Sequence, residues 1–153
     1  SRAAQLGRAI REGEIEPVTA MFAHIGRKTS GTDIIAANDM FQKAAIIMAQ
    51  FMNNYDVVLS PVLGKPPIKL GLIDLAPADN ARWTAEITTF SPFTALYNQT
   101  GQPAMSVPLG WSSTGLPIGM MFAGRYGDEA LLYSLAAQLE EAAPWAETRP
   151  QLS

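Results

Sequence analysis

Residues 34–52, IIAANDMFQKAAIIMAQFM, constrain this chain more than any other stretch. Ile34, Ala37, Phe41, Ala44, Met48 and Phe51 recur at spacings of three and four, which is one face of an α-helix. Met40, Ile47 and Met52 widen that face until the second half is apolar nearly all round. A helix of that kind belongs in the interior of a large protein. Its methionines read as core residues that fill irregular gaps. Thr32 or Asp33 is placed to cap the helix, and Asn53 and Asn54 to end it. The most apolar run, 44–52, falls well short of the ~20 residues that span a bilayer.

The totals agree with a partly interior chain. Hydrophobic residues make up 48% and charged residues 16%, against roughly 25% charged in soluble domains. The net charge is −3, with no basic cluster, so the positive footprint of a nucleic-acid binder is missing. Cysteine is absent, which excludes disulfides, thiolate metal sites and cysteine nucleophiles. With one histidine, His24, and no ligand-like carboxylate cluster, no metal site is expected. No phosphate-binding glycine loop is present, and no cofactor is expected. The expectation is a cytoplasmic protein forming one unit over 1–153, with a tail at 144–153.

Along the chain, residues 3–12 read as a helix ended by Gly13, and 17–28 as a second with Pro17 in its first turn. Val18, Met21, Phe22 and Ile25 form the apolar stripe of that second helix, with His24 beside it. The run VVLS, stopped by Pro61, reads as a buried parallel strand. Ligands bind beyond the carboxyl ends of such strands, so attention falls on Ser60 onward. Residues 61–82 carry four prolines and two glycines and read as a packed irregular loop. A short helix is expected over 83–90. Ser91 then caps a helix that has Pro92 in its first position and Gly101 as its stop. Residues 103–108 and 118–124 read as an antiparallel strand pair joined by a turn at 110–117. In the last helix Asp128 is the expected cap, Leu131, Leu135, Leu139 and Ala142 face inward, and Pro144 ends it.

Chemistry is harder to find. Neither a G-x-S-x-G elbow nor an S-x-x-K motif is present. Ser60 with Lys65 or Lys69 is a possible Ser–Lys pair, but proximity in sequence fixes no geometry. Ser112 and Ser113 suit a hydrogen-bonded turn. The residues alone yield a piece of an α/β core and one candidate pocket wall, with no catalytic set.

YDVVLSPVLGKPP at 55–67, and the run from Phe90 through FSPFTALYNQTGQPAMSVPLGWSSTGLPIGMMFAGRYGDEALLYSLAAQLE, closely resemble the C-terminal part of the amidase signature enzymes. The upstream stretch EIEPVTAMFAHIGRKTSGTDIIAANDMFQKAAIIMAQFMNNYD is similar to that family in matching order. The resemblance therefore covers nearly the whole chain. Its most specific part is N-x-x-G-x-P-A-x-S-x-P, from Asn98 to Pro108. It implies an α/β fold, the C-terminal part of an α/β/α sandwich around a mixed sheet, incomplete as a domain. It also implies amide hydrolysis by a Ser–cis-Ser–Lys triad carried in the N-terminal half. Nothing in this sequence matches the triad, so no catalytic residue is assigned and the chain alone is expected to be inactive.

By resemblance, the loop 61–82 and the turn at Ser91 help to shape the substrate pocket, which makes Pro61, Val62, Ser91, Phe93 and Asn98 the candidate substrate-binding residues. Relatives with other substrates carry an acid at the position of Ser91. A neutral Ser91 beside Phe90, Pro92 and Phe93 points to an uncharged or apolar substrate portion, although Ser91 as a plain cap stays open. Asn98 either braces its turn or bonds to pocket backbone. The expected partners are a small-molecule amide, the missing N-terminal half and a second copy through exposed apolar surface, with no nucleic acid or membrane. The alternative is a freestanding, non-catalytic interaction module derived from the same fold.

Overall fold

A computed structural model describes residues 2–11, 13–74, 76–77 and 79–149. Helix α1 covers only Arg2–Leu6. The expected helix over 3–12 is cut short because Gly7 turns left-handed at φ +63°, and residue 12 lies outside the described residues. Helix α2 is Pro17–Lys28, with Pro17 at its first turn as expected. Val18 is buried, while Phe22 meets Trp83 edge-on with ring centroids 6.2 Å apart.

Helix α3 is Gly31–Phe51, followed by a 3-10 turn at Met52–Asn54. Its cap is Ser30, not Thr32 or Asp33. The Ser30 hydroxyl accepts from the Asp33 N–H at 3.1 Å, and the Asp33 carboxylate accepts from the Ser30 N–H at 2.8 Å. This reciprocal pair satisfies two donors at once, which a lone cap at position 32 or 33 does not.

Three strands form one sheet in the order β1-β3-β2, with β1 Val58–Pro61, β2 Ala104–Trp111 and β3 Pro117–Ala123. The hairpin of β2 and β3 has its expected antiparallel sense, with a register shift between Val107 and Gly110. The turn is held by the Ser112 hydroxyl, which accepts from the N–H groups of Thr114 and Leu116. The expectation of a parallel β1 is corrected, because β1 pairs antiparallel with β3, from Val58 opposite Ala123 to Pro61 opposite Met120. Strands β1 and β2 do run the same way, but β3 lies between them.

The sheet is covered on both faces. Met121 and Ala123 pack with Tyr97, Met48, Val62, Phe93 and Leu96 on one side. On the other, Val107 and Phe122 pack with Leu132, Leu135, Leu139 and Trp145. These contacts explain the apolar run of β3 from within the chain itself, and Ala123 has no exposed surface at all.

Helix α4 is Asn80–Phe90, α5 is Thr94–Thr100 and α6 is Glu129–Ala142. Two expectations for α6 are corrected. Asp128 occupies the cap position, but its side chain makes no cap bond; its carboxylate lies 3.7 Å from the Arg125 guanidinium instead. Leu132, not Leu131, is the buried centre of the inner face, and Ala142 is exposed. Of the expected tail, Trp145 packs on the core and residues 150–153 lie outside the described residues.

Arg125 ties the end of β3 back to the α3–β1 connection. Its Nε donates to the Met52 carbonyl at 3.2 Å and its Nη2 to the Tyr55 carbonyl at 3.0 Å and the Asp56 carboxylate at 2.9 Å. Contacts across some seventy residues of chain thereby fix where β1 begins.

Candidate functional site

The candidate wall forms where the chain leaves β1. Ladder bonding runs one residue past Pro61, as the Val62 N–H donates to the Gly119 carbonyl at 3.1 Å. Two residues on, the Gly64 N–H donates to the Phe90 carbonyl at 2.9 Å. The loop is thus seated against the corner between α4 and α5. The seat requires glycine, because a Cβ at position 64 would lie 2.5 Å from the Thr89 carbonyl oxygen and 3.3 Å from the Pro92 ring. Position 119 is also tight, since a Cβ there would lie 2.8 Å from the Ser106 Oγ and 2.9 Å from a Val62 methyl.

At the corner, the expected capping by Ser91 is corrected. Ser91 ends α4, its N–H donating to the Ile87 carbonyl at 2.9 Å. Its hydroxyl shares a hydrogen bond with the Thr94 hydroxyl at 3.0 Å rather than taking a backbone N–H. Helix α5 begins at Thr94, so Pro92 stands outside it and Phe93 takes the cap position without a side-chain bond. Gly101 ends α5 in the left-handed region at φ +74°, as expected.

Val62 and Phe93 converge on the buried cluster of Tyr97, Met121 and Ala123, and Ser91 is half-buried next to Phe93. Pro61 is exposed on β1. Asn98 is exposed on α5, and its side chain makes no hydrogen bond among the described residues. Ser60 and Ser106 both lie across from Met121, so their side chains share one face of the sheet. The Ser60 hydroxyl donates to the Pro61 carbonyl at 3.1 Å, and no bond to Lys65 or Lys69 exists among the described residues.

This wall is hydroxyl-bearing and apolar, without a carboxylate. Burial pushes the Tyr97 phenol up from its ordinary value, which keeps it neutral. Among the described residues, no group of three or more His, Cys, Asp or Glu is placed to hold a metal, and no helix is long and apolar enough to cross a membrane. Sequence reasoning alone does not reach Gly64, Gly119, Thr94 or Ser106. The glycine in GLPIG is the one local signal, but nothing near it in sequence says what stands over it. Two larger clefts lie elsewhere. One of about 480 Å³ is at the opposite end of the sheet, between Ala45, Met52, Gln102 and Tyr126. Another of about 1110 Å³ lies between Ile10, Arg11, Glu14 and Ile15 on one side and α2 on the other.

A sheet with helices packed on both faces makes this an α/β chain, and comparison with known proteins gives its family. The Amidase family profile matches residues 4–133, and the chain belongs to that family. The 6-aminohexanoate-cyclic-dimer hydrolase of Pseudomonas sp. (strain NK87) is 33% identical over 153 residues, covering 96% of this chain and 31% of that protein. The solved structure of a 6-aminohexanoate cyclic dimer hydrolase complexed with substrate matches with a TM-score of 0.88 at 31% identity, over 97% of this chain and 32% of that one. A bacterial aryl acylamidase of the amidase signature family shares the fold at a TM-score of 0.74 and 21% identity. The chain is a C-terminal portion of the amidase signature fold. It spans about a third of the length of the relatives it matches.

Proposed function

We propose that this chain is the C-terminal part of an enzyme that hydrolyses carboxylic amide bonds. The Ser–cis-Ser–Lys residues that attack the amide belong to the remainder of the polypeptide, outside these 153 residues. Membership of the Amidase family carries this reading. In it, the chain supplies strands to the sheet and one wall of the substrate pocket, formed by Val62, Ser91 and Phe93 with Pro61 at its rim. The engagement of the Ser60 hydroxyl with the Pro61 carbonyl supports the assignment of catalysis elsewhere, since a nucleophile needs a base within hydrogen-bond reach.

The wall also bears on the substrate. The Ser91 hydroxyl is already bonded to Thr94, and Val62 and Phe93 pack against the apolar cluster of Tyr97, Met121 and Ala123. A charged group held against Val62 and Phe93 would lose water, which is costly. The substrate portion on this side is therefore uncharged.

The test is to isolate the polypeptide carrying this sequence from its source with an antibody against residues 129–142. Its mass and its release of amine or ammonia from simple neutral amides are then measured. The expected result is a polypeptide about three times this length, by the coverage of its relatives, that hydrolyses amides. A polypeptide of 16.5 kDa without amide hydrolysis overturns the reading and leaves the freestanding interaction module in its place.

A further inference from the structure

Helix α3 has a broad apolar face, and this chain covers only part of it. Ala37, Ala44, Ala45 and Met48 are half-buried, Met48 joins the core cluster, and the helix packs on α5. No residue of the helix is fully buried. Flanking that side, Met40, Ile47 and Phe51 recur at spacings of seven and four, which places them in one stripe. They are 68%, 64% and 46% exposed. Phe51 stacks on the exposed Tyr55 ring at 4.7 Å, which extends the stripe past the helix end. Asp39, Lys43 and Gln50 form a thin polar line along one margin, and the exposed Ile35 and Ile46 lie beyond it.

A helix that is apolar well beyond the face its own chain covers is buried in the complete protein. Contiguous exposed apolar surface of this extent marks an interaction site. We infer that the Met40–Ile47–Phe51–Tyr55 stripe is the docking surface for the part of the same polypeptide that lies outside these 153 residues. The inference rests on the proposed function, and the relatives argue for this occupant over a second copy. They retain this backbone over 97% of its length, yet it makes up only 32% of a relative's chain. About two-thirds of such a polypeptide is thus available to cover the stripe, in cis and at high effective concentration.

The sequence holds no cysteine, so single thiols can be placed and followed by maleimide labelling with residue-level mass spectrometry. Met40→Cys and Ile47→Cys probe the stripe at two separate turns, and Tyr133→Cys on α6, where the native ring is 78% exposed, is the reference. In the polypeptide of full natural length, both α3 thiols are expected to react at least about tenfold more slowly than the reference, because reaction then requires local opening. In the 153-residue chain at high dilution, all three react alike. Equal reactivity in the long polypeptide overturns the inference. So does protection in the short chain that grows with its concentration, which would make a second copy the occupant. Amide hydrolysis measured on the same samples keeps the two readings apart. An active enzyme with open α3 thiols removes the docking surface alone, and an inactive one with protected thiols removes the activity alone.

Discussion

Gly119 carries more of the candidate wall than any side chain in it. A methyl group there meets the Ser106 hydroxyl at 2.8 Å and a Val62 methyl at 2.9 Å, and Val62 is also bonded to the Gly119 carbonyl. Gly119→Ala is expected to destabilise the fold by about 1–3 kcal/mol through overpacking. The melting temperature falls by several degrees. Gly110→Ala is the control, because its new methyl meets Ile118 at an ordinary 3.5 Å. Adding Ser106→Ala to Gly119→Ala removes one of the two close neighbours, so thermal melts of the double variant should recover part of the loss. Arg125 is the other residue whose role is visible only in three dimensions. Arg125→Met keeps the aliphatic stem but leaves the Met52 and Tyr55 carbonyls without that partner. A loss of about 1–3 kcal/mol is expected in denaturant melts. The exposed ion pair to Asp56 contributes little of that. Neither role is legible in the sequence, because the partners lie from 13 to 73 residues away. Gly101 is legible, since a left-handed helix stop is a local event.

At the level of elements, what can be read depends on whether the deciding contact is local. Helix α2 begins and ends where its proline and its stripe place it. The cap of α3 escapes a local reading because Ser30, Thr32 and Asp33 are all capable, and only the reciprocal pair of Ser30 with Asp33 decides among them. In α6, leucines at 131, 132, 135 and 139 allow two rotations of the helix, and Phe122 and Val107 select the one that buries Leu132. The direction of β1 relative to its neighbour is decided by β3, some sixty residues further on, and no local pattern reports that. The α3 cap gives the structure an acid-sensitive joint. The Asp33 carboxylate is held below its ordinary range, first by the Ser30 N–H and then by the Ser30 hydroxyl. A carboxylate depressed in the folded state contributes stability above its unfolded value of about 3.9. That contribution is lost as pH falls through the lower folded value. Asp33→Asn removes the titrating group while leaving a side-chain oxygen to accept. The stability difference between parent and variant, from urea melts between pH 2 and 6, should shrink toward the acid end. A constant difference would count against the cap as the cause.

For the molecule as a whole, the chain has a finished interior and an unfinished exterior. The sheet is covered on both faces around Met121, Phe122 and Ala123, so the 153 residues have a core of their own. The low charge fraction, visible at once in the composition, goes with large apolar side chains left exposed, many of them on α3. Two environments for one stripe give opposite responses to the same substitution. In the 153-residue chain, Ile47→Lys places a charge on an exposed helix surface, where substitutions shift stability by about 0.5 kcal/mol or less. It also breaks up the apolar patch, so the solubility of the 153-residue chain should rise. In the polypeptide of full natural length, the same lysine is enclosed without a partner, and such burial costs several kcal/mol. There the variant should lose soluble yield and melt well below the parent. A gain in solubility in both contexts would mean that Ile47 faces water in the complete protein, and the broad apolar face of α3 would need another cause.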